Sequence, residues 1–313
     1  MTSALIPDQI TRVSAPDLTR DLDLLDDEVA RLLDFTREIK LTPRRYGQAL
    51  TGKSIAVLFE KPSLRTRLTF ELAIQQLGGS SVCGEGPIGV REPLKDVARN
   101  LDRWVNAIVA RTFSQDTIEE LARWSSVPVI NALTDRYHPC QALADAFTLS
   151  ERFGELRGLK LAFVGDGNNV AHSLMLTALR LGMNFSIATP PGYQPHPDVV
   201  ASARSVSTVS GASLAIAGSP EEAVAGANAV YTDVWVSMGQ EAEAERRRRD
   251  FAAFQVNEKL FARASRDAVF LHCLPAKRGE EVTDAVIEGP RSAVFDQAEN
   301  RLHVQKALLL MML

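Results

Sequence analysis

The chain has 313 residues, enough for about two domains of ordinary size, and its 45% hydrophobic and 24% charged residues are those of a globular protein. A formal charge of −4 argues against a protein that works mainly by gripping nucleic-acid phosphates, because that grip needs a basic surface. Cys83, Cys140 and Cys273 form no CxxC pair and no even disulfide framework, which fits a reducing compartment. Met1 to Thr11 is too polar for a secretory leader, and no apolar run approaches the roughly 18 residues of a membrane span, so a cytoplasmic protein with no membrane partner is expected.

Along the chain, strands and helices take turns. Leu25, Val29, Leu32 and Leu33 recur at helical spacing and predict an amphipathic helix over residues 22–38. The apolar run Ile55–Phe59 predicts a strand, followed by a helix from about Leu64 to Leu77 that stops at Gly78-Gly79. Further strands are predicted at Ala107–Arg111, Pro128–Leu133, Leu161–Gly165, Phe185–Thr189, Ser213–Ala217, Ala229–Thr232 and Ala268–His272. Several are short and continuously apolar, as in parallel sheets covered by helices on both faces. The expected class is therefore α/β, with two domains, each a mostly parallel sheet covered by helices. His138-Pro139 opens a helical stretch that could bridge the two halves, which sets the expected domains at 1–135 and 136–298. Residues 299–313 read as a helix whose end, Leu308 to Leu313, is too apolar to stand free and should pack back onto the first domain.

The run Glu241 to Arg249 looks like a basic binding patch. However, Glu243 precedes Arg247 by four residues and Glu245 precedes Arg249 by four, the spacing of ion pairs on a solvated helix face. No nucleic-acid partner is expected.

The most informative stretch is Phe59-Glu60-Lys61-Pro62-Ser63-Leu64-Arg65-Thr66-Arg67, which follows a strand and starts a helix. The first turn of a helix leaves N–H groups free and carries partial positive charge, so it is a ready anion site. Ser63 and Thr66 add hydroxyls there, and Arg65 adds a planar fork suited to phosphate oxygens. His138 and Gln141 lie three apart on one predicted helix face and can reach the same small group.

These residues, taken with others in order, resemble the aspartate/ornithine carbamoyltransferase family. Its phosphate-binding signature, Ser-Thr-Arg-Thr-Arg, is here Ser63-Leu64-Arg65-Thr66-Arg67, with Leu64 in place of the commoner threonine. The matches continue through Ala110-Arg111-Thr112, His138-Pro139-Cys140-Gln141, Gly165-Asp166-Gly167-Asn168-Asn169, Asp233 to Gly239, His272-Cys273-Leu274-Pro275 and Glu299-Asn300-Arg301. The resemblance runs from about residue 20 to the C-terminus.

What the resemblance implies is specific. Carbamoyl phosphate would be held by Ser63, Leu64, Arg65, Thr66, Arg111, His138, Gln141, Cys273, Leu274 and Arg301. L-ornithine would be held by Asn169, Asp233, Ser237 and Met238, with Arg111, His138, Asp233 and Cys273 as the catalytic set. The implied reaction gives L-citrulline and phosphate, with no metal and no cofactor, in a cleft between the two domains of a homotrimer or a multiple of trimers. Acceptors such as an N-acylated ornithine or putrescine are the neighbouring alternatives within the family. Whether Cys273 takes a proton or orients the amine is open.

Two features pull the other way. Gly165-Asp166-Gly167 after a strand is similar to a dinucleotide fingerprint, which would make the chain a dehydrogenase. Its third glycine is replaced by Val170, and residues 185–189 offer no acidic side chain for a ribose. The loop that reads Gln-Leu-Gly in ornithine-type members, and reaches a neighbouring subunit, corresponds here to Pro87-Ile88-Gly89.

Overall fold

The computed structural model describes residues 10–60, 63–237 and 239–313, which divide into two compact units. Unit 1 comprises the chain up to Phe147 together with Asn300–Leu313, and unit 2 is Thr148–Glu299.

In unit 1, α1 (Asp26–Leu41) starts with three acidic residues in its first turn and has Lys40 in its last, complementing the helix dipole at both ends. Glu28 reaches back to accept the Leu25 N–H at 2.8 Å. β1 (Ser54–Phe59) then leads to α2 (Leu64–Gln76), β2 (Ser80–Glu85), α3 (Leu94–Leu101), β3 (Ala107–Arg111), α4 (Gln115–Trp124) and β4 (Val129–Leu133). The sheet is parallel, in the order β2-β1-β3-β4. One face of β1 and β3 packs Ala56, Ile108 and Ala110 against Ala98, Ile118 and Leu121 from α3 and α4. Gly78 ends α2 with φ +83°, and a Cβ there would lie 2.8 Å from the Gly47 carbonyl oxygen, so both conformation and space require glycine.

β2 was not expected from the sequence. Its Ser-Ser-Val-Cys-Gly-Glu has no apolar run because it is an edge strand with mostly exposed side chains, paired on one side only.

α5 (Pro139–Phe153) runs from unit 1 into unit 2. Unit 2 then alternates β5 (Lys160–Val164), α6 (Asn169–Arg180), β6 (Asn184–Ala188), α7 (Pro197–Ser210), β7 (Leu214–Ile216), α8 (Pro220–Val224), β8 (Ala229–Tyr231), α9 (Ala244–Phe251), α10 (Glu258–Phe261), β9 (Val269–Leu271) and α11 (Asp284–Ile287). Its sheet is also parallel, ordered β7-β6-β5-β8-β9. The final helix, α12 (Val294–Met312), is longer than the sequence pattern suggested. Its apolar end is buried as expected, with Leu308 and Leu309 fully covered and the Met311 carbonyl accepting the Val13 N–H. No described helix is long and apolar enough to cross a membrane.

Both sheets contain a switch point, where strands laid down to one side give way to strands laid down to the other. In unit 1 it falls between β1 and β3, and in unit 2 between β5 and β8. Loops leaving the carboxyl ends of such strand pairs diverge and open a crevice, the usual ligand position in open α/β sheets.

Candidate active site

Each crevice gathers residues singled out in the sequence. In unit 1, Ser63 precedes α2 and Arg111 is the last residue of β3. Ser63 makes no side-chain cap to its own helix, and its Oγ instead accepts from Arg111 Nη1 at 3.2 Å. Thr66, buried in the first turn of α2, accepts from Arg301 Nη2 on α12. Two hydroxyls thus hold two buried guanidinium groups at a helix N-terminus, an arrangement built for a dianion.

His138 sits beside them. Burial, and then the charges of Arg301 and Arg111, push its pKa well below the ordinary histidine value. Its ring is therefore neutral at physiological pH and can donate one N–H without acting as an acid. Gln141, only 1% exposed, donates Nε2–H to Asp145 Oδ1 at 2.8 Å. That bond fixes which end of the amide is nitrogen. Its Oε1 is buried with no hydrogen-bond partner among the described residues. A buried carbonyl left in this state suits a ligand that brings an N–H.

Arg65 is half-buried, and among the described residues its guanidinium forms no hydrogen bond or ion pair. Arg67, by contrast, is committed to the fold: it pairs with Glu71 at 2.6 Å and with Glu85, tying α2 to β2. Leu64 is 71% exposed, on the same helix face as the exposed Leu68 and Leu72. The Glu60 carboxylate accepts the Ile88 N–H at 2.8 Å and the Phe113 N–H at 2.7 Å, which anchors the Pro87-Ile88-Gly89 loop beside the stretch after Arg111.

In unit 2, Asp233 follows β8 and is buried. Its carboxylate accepts from Cys273 Sγ at 3.1 Å and from Asn168 Nδ2 at 2.9 Å. Asn168 is a residue the sequence reading missed in favour of Asn169. It also N-caps α6, accepting from Val170 and Ala171 N–H, and an asparagine directly before a helix is the signal that could have found it. Asn169 lies next to it and bonds the Val170 N–H through Oδ1 at 3.0 Å.

Cys273 follows β9 on a turn whose next residue, Leu274, has φ +59°. The Leu274 N–H donates to His272 Nδ1 at 2.9 Å, so the ring proton sits on Nε2 and points to buried Glu281 Oε1 at 3.2 Å. Potential ligand atoms of Asp233, His272 and Cys273 lie within 4.8 Å of one another. All are already engaged in hydrogen bonds within the fold, an oriented carboxylate and thiol rather than a preformed cation cage. Ser237 is the start of a turn in which its N–H meets Gln240 Oε1 at 3.1 Å; Met238 lies outside the described residues.

The glycines of the would-be dinucleotide motif have another use. A Cβ on Gly167 would lie 2.3 Å from the Pro195 backbone nitrogen, so Gly167 is required by a crossing chain segment. Asp166 is occupied by Arg247 at 2.7 Å. Arg247 itself departs from expectation: it pairs with Glu243 as the spacing implied, but it is buried rather than on a solvated face.

Residues 17–151 match the carbamoyl-P binding domain of aspartate/ornithine carbamoyltransferases, and residues 157–312 match the Asp/Orn binding domain. Ornithine carbamoyltransferase of Acidothermus cellulolyticus is 53% identical over 293 residues, covering 92% of this chain and 94% of that protein. Among solved structures, ornithine carbamoyltransferase from Pyrococcus furiosus superposes with a TM-score of 0.93 at 46% identity, covering 96% of this chain and 98% of that one. The Thermus thermophilus enzyme superposes with a TM-score of 0.85 at 49% identity, covering 95% and 99%. The fold is that of a two-domain carbamoyl-group transferase. The chain belongs to the aspartate/ornithine carbamoyltransferase family.

Proposed function

We propose that the chain transfers the carbamoyl group of carbamoyl phosphate to the side-chain amine of L-ornithine, giving L-citrulline and phosphate. The observation that carries the acceptor is the buried Asp233 carboxylate, oriented by Cys273 and Asn168. A buried anion attracts a cationic diamino acid and repels the second carboxylate of an aspartate. The high identity to proteins named ornithine carbamoyltransferase supports the same reading.

The donor falls to the N-terminal domain. Arg65, Arg111 and Arg301 with Ser63, Thr66 and the backbone at Leu64 bind the phosphate. Neutral His138 donates to the carbonyl oxygen beside Arg111, and Gln141 Oε1 accepts from the carbamoyl NH₂. The amine, as its free base beside Asp233 and Cys273, attacks the carbonyl carbon; a C–N bond forms as the C–O bond to phosphate breaks, and the proton shed by the nitrogen leaves on the departing phosphate. The cations take up charge developing on the leaving phosphate. Asn169, Ser237 and Met238 hold the amino-acid head group.

The same reading places the chain in the cytoplasm as a trimer or a multiple of trimers. Cys83, Cys140 and Cys273 form no disulfide with one another, and Cys273 needs its thiol to reach Asp233. The exposed stripe of Leu64, Leu68 and Leu72 on α2 is the kind of apolar face a second copy covers. Incubating the purified protein with carbamoyl phosphate and ornithine, N-acetylornithine, putrescine or aspartate in turn, and assaying the ureido product, tests the function. Absence of citrulline would sink it.

A further inference from the structure

Between Asp233 and α9 the chain makes the turn that carries Ser237 and Gly239. The turn is knitted to itself: the Gln240 N–H bonds the Ser237 carbonyl at 3.0 Å, and the Gly239 N–H meets the Glu241 carboxylate at 3.0 Å. Its two ends converge on one side chain. Arg247 donates Nη1–H to the Trp235 carbonyl at 3.0 Å on the incoming side, and Nε–H to Glu243 Oε2 at 3.1 Å on the outgoing side. The same Nη1 reaches Asp166 Oδ2 at 2.7 Å, at the carboxyl end of β5.

The rest of the guanidinium environment is equally rigid. Its plane lies over the Tyr193 ring at 4.9 Å, and Phe251 packs against both Tyr193 and Trp235. Tyr193 is fixed in turn, because its carbonyl accepts the Gly167 N–H and its hydroxyl donates to Asp250 at 2.7 Å. Arg247 is 6% exposed, and a buried guanidinium with three differently placed acceptors has one pose.

We propose that Arg247 is a positioning residue for the amine acceptor, a pin that fixes both ends of the Ser237–Gly239 turn to the strand end carrying Asn168. This rests on the reading of that turn as the amino-acid loop. Arg247 acts on the acceptor side in a second way. Burial pushes the Asp166 carboxyl up, and Arg247 beside it pulls it back. Without Arg247, a buried acid close enough to feel Asp233 loses its counter-charge. The expected signature is selective: poorer use of the amine with little change at carbamoyl phosphate.

The experiment separates positioning from mere stability. Arg247→Met should raise KM for ornithine by about tenfold or more, the scale of a lost charge-assisted hydrogen bond, while KM for carbamoyl phosphate changes less than about twofold. Arg247→Lys should fall between, since a point charge can serve Asp166 but not all three acceptors. Asp166→Asn/Arg247→Met removes the unpaired buried charge and should recover part of the lost unfolding temperature. The raised ornithine KM should persist in it, because the Trp235 carbonyl is still unpinned. A double variant whose ornithine KM recovers along with its stability would overturn the proposal, as would an equal rise at both substrates. Hydrogen exchange of the Ser237, Gly239 and Gln240 amides should quicken in the double variant, and this needs no turnover. No citrulline from the unmodified protein would defeat the reading beneath the proposal, whereas unchanged exchange would defeat the pin itself.

Discussion

The two crevices solve opposite electrostatic problems by the same device. In unit 1 the groups to be held in place are cations, and hydroxyls hold them: Ser63 takes Arg111 and Thr66 takes Arg301. In unit 2 the group to be held is an anion, and weak donors hold it: the Cys273 thiol and the Asn168 amide on Asp233. These four orienting contacts are made by neutral groups: two hydroxyls, a thiol and an amide. A neutral partner orients a charged group without itself cancelling the charge. Where the fold does neutralise charge, as Arg247 does to Asp166 and Glu71 does to Arg67, the pair serves architecture.

The largest effect should come from removing a cation in unit 1. Arg111→Met should lower kcat/KM by about 10³-fold or more, since it deletes charge aimed at both the carbonyl and the leaving phosphate. Its unfolding temperature should change little beside that loss, because residues tuned for a ligand commonly add little to fold stability. A matched loss of activity and stability would mean that Arg111 is structural. Calorimetry beside steady-state kinetics decides between the two.

Asp233→Asn probes the other crevice. It keeps the shape and removes the charge, so KM for ornithine should rise by about 10²-fold, the scale of truncating one member of a buried charged contact. Carbamoyl phosphate affinity, followed by competition with inorganic phosphate, should hardly move. If both substrates weaken together, the division of labour between the crevices is wrong.

How much of this was legible in the sequence follows from the same contrast. Helix-start signals singled out Ser63 and His138, whereas Arg111 and Asp233 were candidates only through the family resemblance. The partners that orient them were harder to see. Asn168 becomes meaningful only when loops from distant strands meet, whereas Asp145, four residues after Gln141 on α5, lay within reach of helical spacing. Arg247 lay in a run whose i, i+4 pattern correctly gave Glu243, yet the burial of that one arginine comes from Asp166, which stands 81 residues away. β2 escaped for a simpler reason: an edge strand needs no apolar run.

A smaller effect concerns pH. The folded protein holds His138 neutral, with its pKa well below the ordinary value, while the unfolded chain lets it titrate near 6.5. The unfolded state therefore binds more protons below about pH 6.5, and stability should fall as pH falls through that window toward the depressed folded pKa. His138→Gln should flatten this slope. Denaturant unfolding at a series of pH values checks the sign, and a stability that rose on acidification would mean that His138 is charged in the fold. Raising the His138 pKa by Arg301→Met, read from the imidazole NMR signal, would tie the effect to the cations of unit 1.

The smallest effect is the most discriminating about Leu64. As a phosphate-side residue it contributes its backbone N–H, which any side chain would leave in place. As the head of the Leu64, Leu68 and Leu72 stripe it contributes apolar area, most of it exposed in the single chain. Leu64→Thr restores the family's commoner residue. It should change KM for carbamoyl phosphate by less than about threefold and leave the stability of a single chain within about 0.5 kcal/mol, as exposed substitutions usually do. If a second copy covers the stripe, the variant should instead dissociate at higher protein concentration in analytical ultracentrifugation. A marked change in donor KM at unchanged assembly would return Leu64 to the phosphate site.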